Sequence, residues 1–282
     1  MKNGKLLFVY AAITALLGVG GGVWLYMLMN KYFDVETNAF YAPTSATAPF
    51  GVFVALVLVA VTISAILKKK DDSAPSGMPK AVCFVSSALF ALSAITSAAA
   101  MFADGRFTSF DALTFFALAC TLSAAAAAAY FYFKAAKKAE TMRYFYVSLP
   151  LWAVFEIGAS YFNPAFTYTN FVRAFLALAL SAAILFSLAH SREILGKKHV
   201  LFKSITAPMA AITVTAYLSA RIIYVVTHGG LMISDALETS LLAFLPFIYA
   251  SMLFKDEPLP VENTGEEEPP AEENGEDANQ AE

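Results

Sequence analysis

Residues 50–67 read FGVFVALVLVAVTISAIL and run straight into Lys68-Lys69-Lys70. Eighteen residues pass without a charge, and then three lysines arrive together. Crossing the roughly 30 Å of a bilayer's hydrocarbon takes about 20 mainly apolar residues in a helix. In lipid every backbone N–H and C=O must be bonded within the segment, which leaves the helix as the conformation. Lysine and arginine collect on the cytoplasmic side of membrane proteins. This one stretch therefore gives both a transmembrane helix and its direction.

Outward from it, the same criterion marks eight segments: 6–29, 50–67, 81–102, 111–133, 144–162, 170–190, 204–227 and 234–254. The fold expected is all-α, a polytopic integral membrane bundle of about eight transmembrane helices. Composition agrees. Of the 282 residues, 59% are hydrophobic and 15% charged, against about 45–50% and about 25% in soluble domains. That balance excludes a soluble enzyme, a disordered chain and a disulfide-stapled scaffold. Cys83 and Cys120 fall at different depths, form no CxxC or Cys/His pattern, and read as small buried apolar residues. The third and fourth segments are rich in Ala and Ser, and Gly18 and Gly22 punctuate the first. Small side chains of this kind let membrane helices approach closely.

Charge separates two regions. Eleven of the 22 acidic residues lie between Asp256 and Glu282, where no basic residue occurs. Residues 1–255 hold all 19 Lys and Arg against 11 acids, a net +8. The domains expected are a membrane-embedded body at 1–254 and an acidic, solvated, disordered tail at 255–282. The tail is a solubilising end or a docking segment for a protein partner. Across residues 1–255, fifteen basic residues fall on one side of the spans and only Lys31 and Arg106 on the other. Both termini are accordingly expected in the cytoplasm, in a multi-pass protein of the cell membrane. Lys2 and Lys5 precede an apolar stretch of about 24 residues, too long for a signal peptide, so the first segment reads as a retained helix.

There is a trace of internal repetition. Gly105 is followed six residues on by Asp111-Ala112-Leu113, and Gly229 by Asp235-Ala236-Leu237, an offset of 124. Tyr32-Phe33-Asp34 and Tyr161-Phe162-Asn163 match at an offset of 129. Two readings fit: a parallel 4+4 tandem repeat with halves 1–134 and 135–254, or evenly spaced hairpins with similar helix starts. Asp235 is itself a natural N-cap, and Glu238 stands where a capping box needs it.

Ionisable residues inside spans are costly and mark either function or a specific buried pair. Glu156, Arg173 and Arg221 are such residues. At 1.5 Å per residue, Glu156 and Arg221 lie about 9 Å, and Arg173 about 5 Å, from the outer ends of their helices. Asp235 and Glu238 begin the last helix at that level, and Tyr161, Tyr168, Tyr217, Tyr224 and His228 belong to the same layer. Tyr217, Arg221, Tyr224 and His228 follow at spacings of four, three and four, one face of a helix. The candidate ligand-binding set is thus Glu156, Arg173, Arg221, Tyr217, Tyr224, His228, Asp235 and Glu238. In one reading the layer is an outward pocket in which Arg173 and Arg221 hold a small anionic solute. In the other, Glu156 pairs with Arg221 or Arg173 to lock the helices, the tyrosines form an aromatic belt, and Asp235 and Glu238 merely cap.

Other chemistry is not signalled. There is no HExxH, GxSxG, GxGxxG or P-loop, hence no expected enzyme activity, metal or cofactor. His190, His199 and His228 read as interface residues, and their depths do not suit a haem. Asn163-Pro164 and Pro49 mark helix boundaries, while Pro150, Pro208 and Pro246 fall inside spans. The basic loops follow from topology and imply no nucleic acid. The expectation is a small-solute binding or transport protein. The alternative is a non-enzymatic membrane subunit, sensor or scaffold working through a partner protein.

Overall fold

Long helices dominate the computed structural model, which describes residues 2–34, 39–40, 43–67, 77–106, 110–142, 144–162, 171–195, 200–231 and 235–254. They are α1 (Lys2–Tyr32), α2 (Thr44–Leu67), α3 (Lys80–Ala103) and α4 (Ala112–Ala135), then the single turn α5 (Ala139–Met142). After it come α6 (Ser148–Phe162), α7 (Phe171–Ile194), α8 (Val200–His228) and α9 (Ala236–Leu253). A two-residue hairpin, β1 (Phe33–Asp34) against β2 (Ala39–Phe40), follows α1, with Phe33 opposite Phe40. The acidic tail, Tyr168, Asn163-Pro164 and His199 lie outside the described residues.

Seven of these helices are long and apolar enough to cross a membrane, and the chain is an integral, multi-pass membrane protein. The fifth expected segment, 144–162, differs. Its helix α6 starts only at Ser148 and has 15 residues, about 22 Å at 1.5 Å each. Before it the chain turns, Tyr144 N–H donating to the Thr141 carbonyl at 3.3 Å and Phe145 N–H to that of Met142 at 3.0 Å. Pro150 then falls in the first turn of α6, where a missing N–H breaks no helical bond. It starts this helix rather than kinking it. Pro49 departs from expectation in the other direction, for α2 begins at Thr44 and carries Pro49 inside it. Pro208 and Pro246 lie inside α8 and α9 as expected.

Contacts along the helices fix their directions. Ser97 meets Thr121, and Ser87 donates to the Ala128 carbonyl at 2.8 Å, so α3 and α4 are antiparallel. Ser93 meets Ser240, and Ser86 donates to the Ala243 carbonyl, so α3 and α9 are antiparallel too. Gly18 and Gly22 face Thr215 and Ser219, which makes α1 parallel to α8. The C-terminal ends of α1, α3, α6 and α8 thereby gather with the N-terminal ends of α2, α4, α7 and α9. This is the upper end of the bundle.

Central to the packing is α8, which lies against α1, α2, α7 and α9. A Cβ added at Gly22 would stand 2.5 Å from the Ser219 Cβ and 2.7 Å from the Ala216 carbonyl oxygen, so α1 sits as close to α8 as glycine allows. Lipid tails are as apolar as leucine, so the interhelical hydroxyl bonds supply much of what holds α3, α4 and α9 together. Large apolar side chains such as Leu16, Leu56, Phe84, Ile95, Leu122 and Val226 point outward, as a lipid-facing surface requires. The neighbours of the two halves differ: α1 lies along α8, while the equivalent pair α6 and α3 has no comparable helix packing. Cys83 and Cys120 are buried free thiols.

Candidate functional site

The α8 stripe forms as its spacing requires. Tyr217 is buried, Tyr224 half-buried and His228 exposed at the upper end. The Arg221 guanidinium carbon lies 5.6 Å from the centre of the Tyr224 ring, within cation–π range. Tyr224 also stacks on His228 with centroids 4.3 Å apart and planes at 16°. His228 Nδ1 is 2.9 Å from Thr227 Oγ1, and the Tyr26 hydroxyl of α1 donates to the same Thr227 oxygen at 3.2 Å.

From α9 come two carboxylates with different roles. Asp235 is the N-cap, its side chain accepting from the backbone N–H of Leu237 at 3.0 Å and of Glu238 at 3.4 Å. Glu238 does not complete a capping box. Its side chain turns into the bundle and accepts from Nε of Arg221 in a salt bridge. The reason is adjacency. α8 and α9 pack side by side, and an unpaired carboxylate in that interior would be far more costly than an uncapped helix start.

Among the described residues Glu156 meets no arginine, which corrects the Glu156–arginine pair of the packing reading. It sits on α6, which packs against α4 and α7. Its Oε1 accepts from Trp152 Nε1 one turn earlier on the same helix, at 3.1 Å. The Cys120 thiol of α4 lies beside it, and Asp235 is within electrostatic reach. Arg173 stands apart from the cluster. It donates to the Ser160 carbonyl, and its guanidinium lies 5.7 Å from the Tyr161 ring, on the α6–α7 side of the upper end.

The structure therefore brings five of the eight candidates together. Tyr217 is within electrostatic reach of Arg221, Glu238, Asp235 and Glu156 at once, and Tyr224 and His228 continue the stripe upward. Two carboxyls, those of Glu238 and Asp235, lie within reach of the Arg221 guanidinium. Among the described residues no three His, Cys, Asp or Glu side chains converge as a metal site would require.

The polar layer has a floor. Directly below Glu156, Trp152 contacts Phe90 and Phe244 at ring separations of 5.4 and 5.7 Å. Phe131, Phe186 and Phe247 extend the layer through contacts of 5.0 to 5.8 Å. All six rings are fully buried. Each such pair adds about 0.5–1.5 kcal/mol beyond its buried area, so the floor is stiff as well as dry.

Beneath it lies a pair that the sequence reading missed. His190 is fully buried, not an interface residue, with Nε2 2.6 Å from the Tyr130 hydroxyl and its ring 4.7 Å from Phe247. The Lys134 ammonium approaches the same hydroxyl at 3.4 Å. The available signal was periodicity: Ala179, Ala183, Phe186 and His190 are spaced four, three and four, and all are buried. Comparison of the chain with protein-family models, with curated proteins and with solved structures gives no match.

Proposed function

We propose that this membrane protein binds, and carries across the cell membrane, a small polar solute admitted at the upper end of the bundle. In this reading the positive-inside distribution places the upper end outside and both termini in the cytoplasm. What supports the reading most is the Arg221–Glu238 pair set among Tyr217, Tyr224 and Asp235 on one helix interface. Nε of Arg221 is engaged by Glu238, and a guanidinium carries two further nitrogens with which a solute acceptor can bond. A simple anion fits less well than the two arginines of the sequence suggested, because Arg173 is engaged elsewhere. One guanidinium beside the carboxyls of Glu238 and Asp235 suits a solute carrying both an acceptor group and a positive charge.

The test is a melting-temperature screen of the purified protein against zwitterionic, cationic and anionic solutes, followed by uptake into proteoliposomes. A ligand that binds only the folded state raises apparent stability by RT ln(1 + [L]/Kd). A zwitterion is expected to stabilise the wild type and to lose that effect in Arg221→Lys, which keeps the charge but not the fork. If no solute class shifts the melt and no uptake occurs, the transport reading fails and a partner-dependent scaffold takes its place.

A further inference from the structure

We propose that Glu156 is a proton-exchange site, its carboxyl taking up and releasing a proton in the bundle interior just above the aromatic floor. The case rests on what surrounds it. Glu156 is 8% exposed. Its contacts are the indole N–H of Trp152 and the thiol of Cys120, both hydrogen-bond donors and neither a cation. The charged group within reach is Asp235, of the same sign. On α8, Tyr217 faces it and Arg221 is held by Glu238; on α7, Arg173 is held by the Ser160 carbonyl and Tyr161.

An isolated carboxylate in an apolar interior is so costly that such a group takes a cation or a proton. A metal ion needs several ligands, and among the described residues no three His, Cys, Asp or Glu side chains converge here. A proton needs only the carboxyl itself. The protonated acid keeps a carbonyl oxygen for the Trp152 N–H and gains an O–H of its own. Neither of the two layers expected from sequence, pocket or packing lock, assigned Glu156 this role, and it does not depend on which solute the protein handles.

The experiment needs no solute. The purified protein is treated with a membrane-soluble carbodiimide across a pH series, and the modified peptide is identified by mass spectrometry. The carboxylic O–H adds across one C=N bond: oxygen bonds to the central carbon and the proton goes to nitrogen. Acyl transfer to nitrogen then gives a stable N-acylurea that retains the whole reagent. We expect Glu156 to be labelled in mild acid and progressively less as pH rises, and the label to be absent from Glu156→Gln. In parallel, infrared difference spectra of wild type against Glu156→Gln should show one protonated-acid carbonyl band that titrates away. An unlabelled Glu156 at every pH, with no such band in the folded wild type, overturns the proposal. Labelling of Glu238 in its place overturns it equally, because the proton would then belong to the ion pair.

Discussion

Arg221→Ala strands the Glu238 carboxylate, and the two sides of this ion pair are unequally buried. The Glu238 side chain is 2% exposed and that of Arg221 26%. Removing one partner of a buried pair costs about 3–5 kcal/mol, because the other charge is left uncompensated. That range applies in full to Arg221→Ala. Glu238→Ala instead leaves a guanidinium on a long stem two turns from the upper end, able to swing its head toward water. Its cost falls to about 1–3 kcal/mol, the price of unmade hydrogen bonds. The double variant Arg221→Met/Glu238→Leu removes both charges and keeps volume, and should lie near the wild type. A double-mutant cycle closed with the matching single variants should then give a coupling near the sum of the two single losses, about 4–8 kcal/mol, above the usual range for neighbouring residues. The assay is reversible unfolding in mixed micelles titrated with a denaturing detergent, followed by the fluorescence of the two tryptophans. Equal losses from the two single variants would refute the burial argument. Strict additivity would refute the pair itself.

Two further outcomes follow from local geometry. Gly20 and Gly22 share one helix but not one environment. A Cβ at Gly20 meets nothing within 4 Å, while one at Gly22 runs into Ser219 and the Ala216 carbonyl. Gly22→Ala should cost about 1–3 kcal/mol through overpacking, whereas Gly20→Ala should be neutral or gain up to about 1 kcal/mol of helix propensity; melting temperatures of the two variants decide it. Asp111 caps α4 by accepting from the Thr114 N–H at 2.7 Å, which draws its carboxyl below the ordinary 3.8. A folded-state value below the unfolded one means stability that is present above pH 3.8 and lost as pH falls through the lower, folded value. Asp111→Ala should therefore melt lower at neutral pH and lose that acid limb, while Asp111→Asn should keep the cap without the limb.

Most of the bundle was legible because lipid leaves so few options. Once residues 50–67 had no water to bond to, only a helix remained, and helical spacing then placed Tyr217, Arg221, Tyr224 and His228 on one face. Depth along each helix also put Arg221 and Glu238 at one level, where their side chains meet. Pairing was not legible, because it depends on which helices are neighbours. Arg221 has two acids at its own level, and the choice of Glu238 over Glu156 is made by α8 lying beside α9 while α6 lies against α4 and α7. The start of α6 was hidden for another reason. Tyr144 to Val147 are apolar enough to read as span, yet they turn before α6 starts at Ser148, with Pro150 in its first turn. His190 was obscured by its position near Arg192, which draws the eye to the interface.

The same neighbour relations bear on how the layer would work. The six floor rings come from α3, α4, α6, α7 and α9, which they join into one stiff unit. None of them comes from α1, α2 or α8; α8 packs against α1 and α2 on one side and against α7 and α9 of the aromatic unit on the other. Between Cys120, beside Glu156, and Tyr130, beside His190, α4 rises ten residues, about 15 Å of dry aromatic packing. A solute at the upper layer cannot pass that floor while the rings hold their places. It can, however, compete for Arg221, whose bond to Glu238 ties α8 to α9 across the boundary between the two units. Loosening that tie leaves the Thr215–Tyr249 hydroxyl bond and the packing on α7 and α9 as what holds α8 to the aromatic unit. On the transport reading, variants that weaken the tie, such as Glu238→Gln, should raise solute flux or leak while the floor stays intact. If Glu238→Gln instead leaves flux unchanged and Phe244→Ala alone opens the path, the moving boundary lies within the aromatic floor.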